Sequence, residues 1–539
     1  MNIKPLFNNN ETPTLEEYLY RCGVDNPTEY INPSSDVVES PSTYNDIDKA
    51  VELLCEVMHS ARKGQIIIVC DSDCDGYCSA SIATQFLNTQ GVGGRVTTLF
   101  HSGKQHGLSK DILKQLHNCN NISIDNIDLI WIPDAGTNDT EACSYLSLLL
   151  NIPVLITDHH KITRENSDAI IISNQINNVK NQDLCGTGVT HKAISAYEKI
   201  YGGNTYKNVL DYVALATISD VCDVRSLENR IILKWGLSHI NNKFLRAMCD
   251  TFVSDEDITP TNLAWNVVPK INAVCRSNDM ELKKDLFLAM TYESDIANVI
   301  DKIAKAHRNQ REEVNRLYED TLSIKPIGDK VKIFKFINTP YTGLIASKLS
   351  DHYACPCMVV HQSNNIYTGS LRSPCPLRTN LDKSGLMTLC QGHEQACGVG
   401  WEASDTEKLS NYCESLDLSP AQQEVMLSVD TPLISRETFA INECGKNLWG
   451  HGIPEPSIHI SDIHINGKDI KEIGATKSTI KFLYGDIEII KFFCTKEFKK
   501  KLNVGESVNM ELEIIGKLNI NTFRGRETKQ IIIDEIKVK

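Results

Sequence analysis

Four short stretches concentrate the residues whose types and spacing could do chemistry. In "IIIVCDSDCDGYCSASIA" an apolar run leads into Asp71, Asp73 and Asp75, then Gly76. Alternate residues of an extended chain share a face, so the three carboxylates can converge, and Gly76 permits the turn into a following helix. Converging carboxylates repel unless cations lie between them, whereas a helix cap needs only one Asp. In "LIWIPDAGTND" Asp134 ends a second apolar run, where alone it reads as a turn or cap residue. In "VLITDHHK" a third run ends in Asp158, His159 and His160, and imidazoles beside carboxylates suit Mn²⁺, Fe²⁺ or Zn²⁺ better than Ca²⁺. "YVALATISDVCDV" sets Asp220 after a helix-like segment, with Asp223 as a neighbour. A mixed His/Asp set points to two metals. Cys70, Cys74 and Cys78 invite an iron–sulfur reading, but the carboxylates among them suit hard divalent cations instead.

These stretches need a scaffold that brings strand ends together. From about Asp46 to Leu245, strand-like runs ("GQIIIVCDSD", "GRVTTLF", "IDLIWIPDAG", "IPVLITDHH", "SDAIIISNQ") alternate with helical stretches. That alternation predicts an α/β fold with a doubly wound, mostly parallel sheet, whose sites collect at the carboxyl ends of strands. From Glu281 to Ile324 the chain lacks Pro and Gly and is periodic enough for one long connector helix. From Lys330 to Leu418, strand-like runs and Gly-containing turns predict a smaller α/β domain. From Pro454 onward, short strands separated by turns predict an oligonucleotide-binding (OB) β-barrel.

The 539 residues exceed one hydrophobic core and suit about three to four domains. The net charge of −14 argues against wholesale non-specific nucleic-acid binding but leaves room for a local basic channel. An odd count of 19 cysteines, scattered through apolar runs, fits reduced thiols rather than a disulfide framework. No apolar segment is long enough to cross a bilayer, and the Met1 end lacks a secretory pattern. A cytoplasmic protein is the expectation, in a bacterium or, for a phage-encoded chain, its host.

The order of motifs resembles the DHH phosphoesterase family, and within it the RecJ-type single-strand DNA exonucleases. The similarity rests on "DSDCDG", "PDAG", "TDHH", "LCGTGVTHKAI" and "VALATISDVCDV", and continues through "VPKINAVCRSND", "TGLIASKLSDHY", "GSLRS", "QGHEQACGVG" and "LWGHGIPEP", over about residues 50 to 539. Carried over, it implies Asp73, Asp75, Asp134, His159 and Asp220 as metal ligands, with Asp134 bridging two divalent ions, Mn²⁺ foremost and Mg²⁺ as the alternative. His160 is then expected beside the scissile phosphate, Asp71 and Asp158 as supporting carboxylates, and His393 as a contact to the phosphate's developing charge. Arg276, Asn272, Ser370 and Arg372 are expected to hold substrate. The reaction implied is hydrolysis of single-stranded DNA from its 5′ end to 5′-mononucleotides.

Lys499, Lys500, Lys501, Arg524 and Arg526, with Phe492 and Phe523 interleaved, suit strand tracking and base stacking. The expected partners are single-stranded DNA and, as accessories, a single-strand DNA-binding protein or a helicase, with no membrane and a monomeric state. Expected boundaries are an N-terminal extension (1–45), catalytic domain (46–245), helical connector (246–325), DHH-associated substrate domain (326–420), linker (421–445) and OB domain (446–539). Departures from the family pattern fall at Gln391, at Cys275 before Arg276, at His101 in the loop before "HGLS", and at Gly452-Ile453. Two other functions compete: hydrolysis of short oligoribonucleotides or cyclic dinucleotides, and a non-catalytic DNA-binding scaffold.

Overall fold

The computed structural model describes residues 2–9, 11–119, 121–176, 179–253, 258–336, 339–418, 422–523 and 525–539. The chain forms two compact units, one of residues 3–300 with 424–539 and the other essentially 301–423. Among the described residues no helix is long and apolar enough to cross a membrane.

The first unit is organised by a five-stranded parallel sheet. Its strands are β1 (Gln65–Cys70), followed by helix α1 (Cys74–Thr89), then β2 (Val96–Phe100), α2 (Lys110–Asn118), β3 (Ile127–Pro133), β4 (Val154–Asp158) and β5 (Ile170–Ser173). They lie in the order β2-β1-β3-β4-β5. The β-branched runs explain both the strands and their burial. Ile67 and Val69 point to one face, where they meet Ile130, Ile132, Val154 and Ile156 and are covered by Ile112 and Leu116 of α2. Ile66, Ile68 and Trp131, also fully buried, occupy the opposite side of the pleat. There Phe86 of α1 packs edge-on against Trp131 and Tyr197 at 6.3 and 5.2 Å. Further helices of the unit include α3 (Gly186–Tyr201), α4 (Leu210–Ser219), α5 (Val268–Cys275) and α6 (Met280–Tyr292).

The single long helix expected over 281–324 is instead two, α6 and α7 (Ile296–Leu322). Glu293 and Asp295 adopt left-handed backbone angles, φ 55° and 47°, and the Glu293 N–H closes onto the Ala289 carbonyl at 3.1 Å. Neither residue is a glycine, so the break is fixed from outside: the Glu293 carboxylate accepts from Lys243 N and Nζ at 3.1 and 2.6 Å.

The second unit is a mixed sheet of β6 (Lys332–Lys335), β7 (Cys357–Ser363), β8 (Ile366–Arg372), β9 (Met387–His393) and β10 (Ala396–Glu402), with helix α8 (Thr342–Tyr353) between β6 and β7. The order is β9-β10-β8-β7-β6, and only β6 and β7 run parallel. Met358 and Val360 face a core with Leu371, Val399 and Trp401. Val359 faces the other side, with Ile345 and Leu349 of α8 and Val314 and Leu317 of α7.

Residues 424–539 return to the first unit as a seven-stranded mixed sheet. Its strands are β11 (Leu427–Val429), β12 (Ser457–Asn466), β13 (Lys471–Ile473), β14 (Thr479–Tyr484), β15 (Ile487–Lys491), β16 (Asn509–Phe523) and β17 (Arg526–Val538), ordered β11-β12-β16-β17-β15-β14-β13.

The N-terminal residues strap this sheet to the parallel-sheet region. Leu6 and Phe7 donate backbone bonds to Val425 and Met426, the Tyr18 ring meets Trp449 edge-on at 5.8 Å, and the Tyr30 hydroxyl donates to the Leu448 carbonyl at 3.2 Å. At its far end Glu39 accepts through its carbonyl from Lys192 Nζ, which also pairs with Glu228, both at 2.5 Å. Lys192 and Glu228 are 4% and 3% exposed, so neither charge can turn to water. Lys192→Met should therefore leave Glu228 ionised and underpaired, lowering unfolding free energy by about 3–5 kcal/mol. Chemical denaturation checks this, and adding Glu228→Gln should restore much of the loss.

Candidate functional site

The carboxyl ends of β1, β3 and β4 meet where the strand order reverses, between β1 and β3, the usual crevice of such sheets. The acidic stretch after β1 is not extended, as the sequence suggested. The strand stops at Cys70, Asp73 caps α1 by accepting from Gly76 N at 3.2 Å, and Asp75 lies in the first helical turn. Convergence comes from a cap and a helix turn rather than from the pleat. Gly76 is required because a Cβ there would lie 2.5 Å from the Asp71 Cβ.

A second helix start closes in from α3. Gly186 N and Thr187 N each donate to the Asp75 carboxylate at 2.8 Å, and the Thr187 hydroxyl adds a third bond at 2.5 Å. Aligned N–H groups at a helix start stabilise such an anion. A Cβ on Gly186 would sit 2.0 Å from Asp134 Oδ1, so glycine alone lets α3 come this close.

Asp134 is the centre of the arrangement. It follows β3 with φ 76°, its backbone N–H is tied to the Thr157 carbonyl at 2.7 Å, and it is 2% exposed. Its Oδ1 is buried without a hydrogen bond and lies 3.3 Å from His159 Nε2, whose ring partner Nδ1 is 3.5 Å from Asp220 Oδ2. At this centre three overlapping sets can each gather ligand atoms within 4.8 Å: Asp71, Asp73 and Asp134; Asp75, His159 and Asp220; and Asp134, Asp158, His159 and His160. Burial, then the neighbouring carboxylates led by Asp75, pushes the Asp134 carboxyl well above its ordinary value. Burial likewise lifts Asp220 to about 7, against the pull of His159. A buried, unbonded carboxylate oxygen amid oxygen and imidazole donors is the donor set of a divalent cation.

Around this core stand groups with other duties. Asp158 accepts from Thr137 N and Oγ1 at 3.1 and 2.7 Å, from the backbone N–H groups of His159 and His160 at 2.7 and 3.1 Å, and from His160 Nδ1 at 2.8 Å. Burial opposes its ionisation, but these bonds, the His160 one first, hold it below the usual carboxylate range. The same bond, outweighing burial, raises His160 to about 10 and keeps that half-exposed ring cationic. Asp71 is matched by His106 Nδ1 at 2.6 Å. His106 opens the "HGLS" stretch, and the sequence reading gave it no role. His101 is buried and, through burial and then His106, lowered to about 4, hence neutral. Arg276 caps α5 with its guanidinium 3.7 Å from Asp73 Oδ2. Asn272 Oδ1 accepts from Cys74 N at 3.0 Å, steadying the start of α1.

Residues 65–217 match the DHH family N-terminal domain, and residues 437–535 match the RecJ OB domain. The chain thus carries a DHH-family domain followed by a RecJ OB domain. It is 26% identical to YorK, a prophage-derived protein of Bacillus subtilis provisionally named a single-strand DNA-specific exonuclease, over 97% of this chain and 96% of that one. It is 25% identical to the single-stranded-DNA-specific exonuclease RecJ of Haemophilus influenzae, over 99% and 97%. The fold matches RecJ from Thermus thermophilus solved with Mn²⁺, with TM-score 0.76 at 17% identity, over 97% of this chain and 76% of that one.

The remaining predicted contacts fall elsewhere. Ser370 and Arg372 lie together on β8 in the second unit: the Ser370 and Thr342 hydroxyls are 2.9 Å apart, and Arg372 donates to the Leu371 carbonyl at 2.7 Å. Gly343 at the start of α8 leaves them room, since a Cβ there would lie 2.9 Å from the Arg372 guanidinium. His393 ends β9, exposed. Arg526 opens β17, exposed, while Arg524 lies outside the described residues.

The raised carboxyls set a sign for stability against pH. A carboxyl whose folded value is raised contributes stability that is present below its unfolded value and lost as pH climbs through the folded one. Without divalent ions, stability should fall as pH rises from about 4 to about 7, the window set by Asp220 at about 7 and reinforced by Asp134. Mn²⁺ at neutral pH should reverse the loss, and Gly186→Ala should blunt that rescue by weakening metal affinity about 10-fold or more, the range seen when ligand support is disturbed. Thermal melts across pH, with and without the ion, provide the check.

Proposed function

We propose that this protein is a divalent-metal-dependent exonuclease that hydrolyses single-stranded DNA from the 5′ end to 5′-mononucleotides. The observation that carries the reading is the buried, unbonded Oδ1 of Asp134, which joins Asp71 and Asp73 in one ligand-competent set and lies 3.3 Å from His159 of another. It is supported by end-to-end similarity to proteins named single-strand DNA-specific exonucleases. Asp73, Asp75, Asp134, His159 and Asp220 hold two ions, Mn²⁺ or Mg²⁺, the ions named for the solved RecJ structures. Such ions supply Lewis-acid charge and a strong oxygen nucleophile at neutral pH.

The chain's own groups do the rest. His160, kept cationic by Asp158, donates its outer N–H to a non-bridging oxygen of the scissile phosphate. Asp71 keeps His106 oriented at the rim, and Arg276 offers a guanidinium contact to the substrate phosphate. Ser370, Arg372 and the start of α8 receive the terminal 5′-phosphate, since a guanidinium and helix N–H groups suit phosphate oxygens. His393 contacts the same phosphate path. The catalytic domain covers 46–245, the helical connector 246–325, the substrate domain 326–420, the linker 421–445 and the OB domain 446–539, where Arg524 and Arg526 track the strand.

Asp134→Ala should lower hydrolysis of 5′-labelled single strands by at least about 100-fold, the scale of losing one essential electrostatic group, without loss of fold. Near-normal turnover in Mn²⁺ would sink the assignment, and attack from the 3′ end would sink the polarity. Arg526→Ala should flatten the log–log salt dependence of strand binding by about 0.7, the contribution of one neutralised phosphate. Equal preference for dinucleotides over long strands would favour the oligonucleotidase reading.

A further inference from the structure

The hairpin that carries His393 contains a pair of thiols that none of the roles above uses. Strands β9 and β10 pair antiparallel, with Cys390 opposite Val399 and Gly392 opposite Cys397. Opposed residues and those two apart share a face, so both thiols project to the side of Val399 and Trp401, where Cys397 lies in the core and Cys390 packs against it. Gly392 has no side chain to stand between them; a Cβ there would lie 3.2 Å from the Cβ of Cys397. The neighbouring Cys397 thiol, against burial, holds Cys390 below the ordinary thiol value, and the Cys390 thiol donates to the Arg378 carbonyl at 3.5 Å. Cys397 is buried while Cys390 is half-exposed, so a small oxidant meets Cys390 first.

We infer that Cys390 and Cys397 form a reversible disulfide, driven by hydrogen peroxide, that staples the base of the His393 hairpin. The Cys390 thiolate attacks one peroxide oxygen and the O–O bond breaks, giving a sulfenic acid and hydroxide. The Cys397 sulfur then attacks the Cys390 sulfur, loses its proton and displaces that hydroxyl as water. Two thiols and one peroxide become one disulfide and two waters, sulfur being oxidised and peroxide oxygen reduced. A diagonal cross-strand pair is wider than an unstrained disulfide prefers, so closure draws β9 and β10 together below the tip. Strained, partly exposed disulfides are the readily reduced, regulatory kind.

The consequence for hydrolysis rests on the reading of His393 as a substrate contact; the formation of the bond does not. The full chain is treated with limited peroxide, alkylated and mapped by peptide mass. The expected result is a Cys390–Cys397 link, lost again with dithiothreitol, while exposed Cys119 and Cys444 are oxidised without joining it. In Cys397→Ser the link is absent and dimedone traps sulfenic acid at Cys390. Free alkylation of both residues after peroxide, or linkage to other cysteines, overturns the disulfide. Peroxide should also lower single-strand hydrolysis several-fold in the wild type, reversibly, and leave Cys397→Ser unchanged. A formed link with unchanged hydrolysis overturns the control of the site. A reduced protein inactive on single strands counts against the proposed function, with the mass map still deciding the disulfide.

Discussion

The crowding of buried carboxylates around Asp134 is the constraint that the rest of the structure answers. Two like charges about 4 Å apart repel by about 4 kcal/mol even at an effective dielectric near 20. Asp71, Asp73, Asp75 and Asp220 all bear on Asp134 in this way. The protein relieves the outer members with its own donors: two N–H groups and a hydroxyl for Asp75, His106 for Asp71, Arg276 beside Asp73, and five bonds for Asp158. It leaves Asp134 Oδ1 with none. That unequal distribution leaves Asp134 as the carboxylate with the greatest need of a cation, a ranking that residue type alone cannot draw.

The sheet order is what makes the crowding possible. With β1 and β3 adjacent and their following segments leaving in opposite directions, the chain opens a crevice that α1 and α3 enter with their N-termini foremost. Asp134 takes its place by accepting a left-handed backbone, a strain of roughly 1–3 kcal/mol for a residue other than glycine. Its N–H bond to Thr157 and the missing side chains at Gly76 and Gly186 hold it there. Strain, glycine and burial coincide at one point because several backbones must approach the same small volume.

Much of this was legible in the residues. The β-branched runs give the strands because both faces of a covered parallel sheet are apolar, and the acids fall at their carboxyl ends. What escaped reading depends on distant partners. The break at Glu293 has no Gly or Pro to mark it and is fixed by Lys243, fifty residues earlier. His106 looks like any loop histidine until Asp71 is placed against it. Residues before Asp46 carry no catalytic motif, yet they supply the strap from Val425 to Lys192. The extended Asp-x-Asp-x-Asp face was a fair inference from local geometry, but the demand for a helix cap at Asp73 overrode it.

The strap and the sheet of residues 424–539 bear on the site more directly than a tethered binding module would. Asp220 sits at the end of α4 and the chain turns through Val221 at φ 56°. Three residues on, Val224 N donates to the His451 carbonyl at 2.9 Å. Gly452, at φ 87°, packs so close to Asp223 that a Cβ would lie 2.3 Å from its carboxylate, and Arg225 clamps that carboxylate at 3.0 Å. The turn following Asp220 is thus built against the entry to the terminal sheet, whose position the Tyr18–Trp449 contact fixes in turn. A load placed on that sheet is carried to Asp220 through four residues of tight backbone rather than through a flexible linker, so the terminal sheet and the acidic centre share one frame.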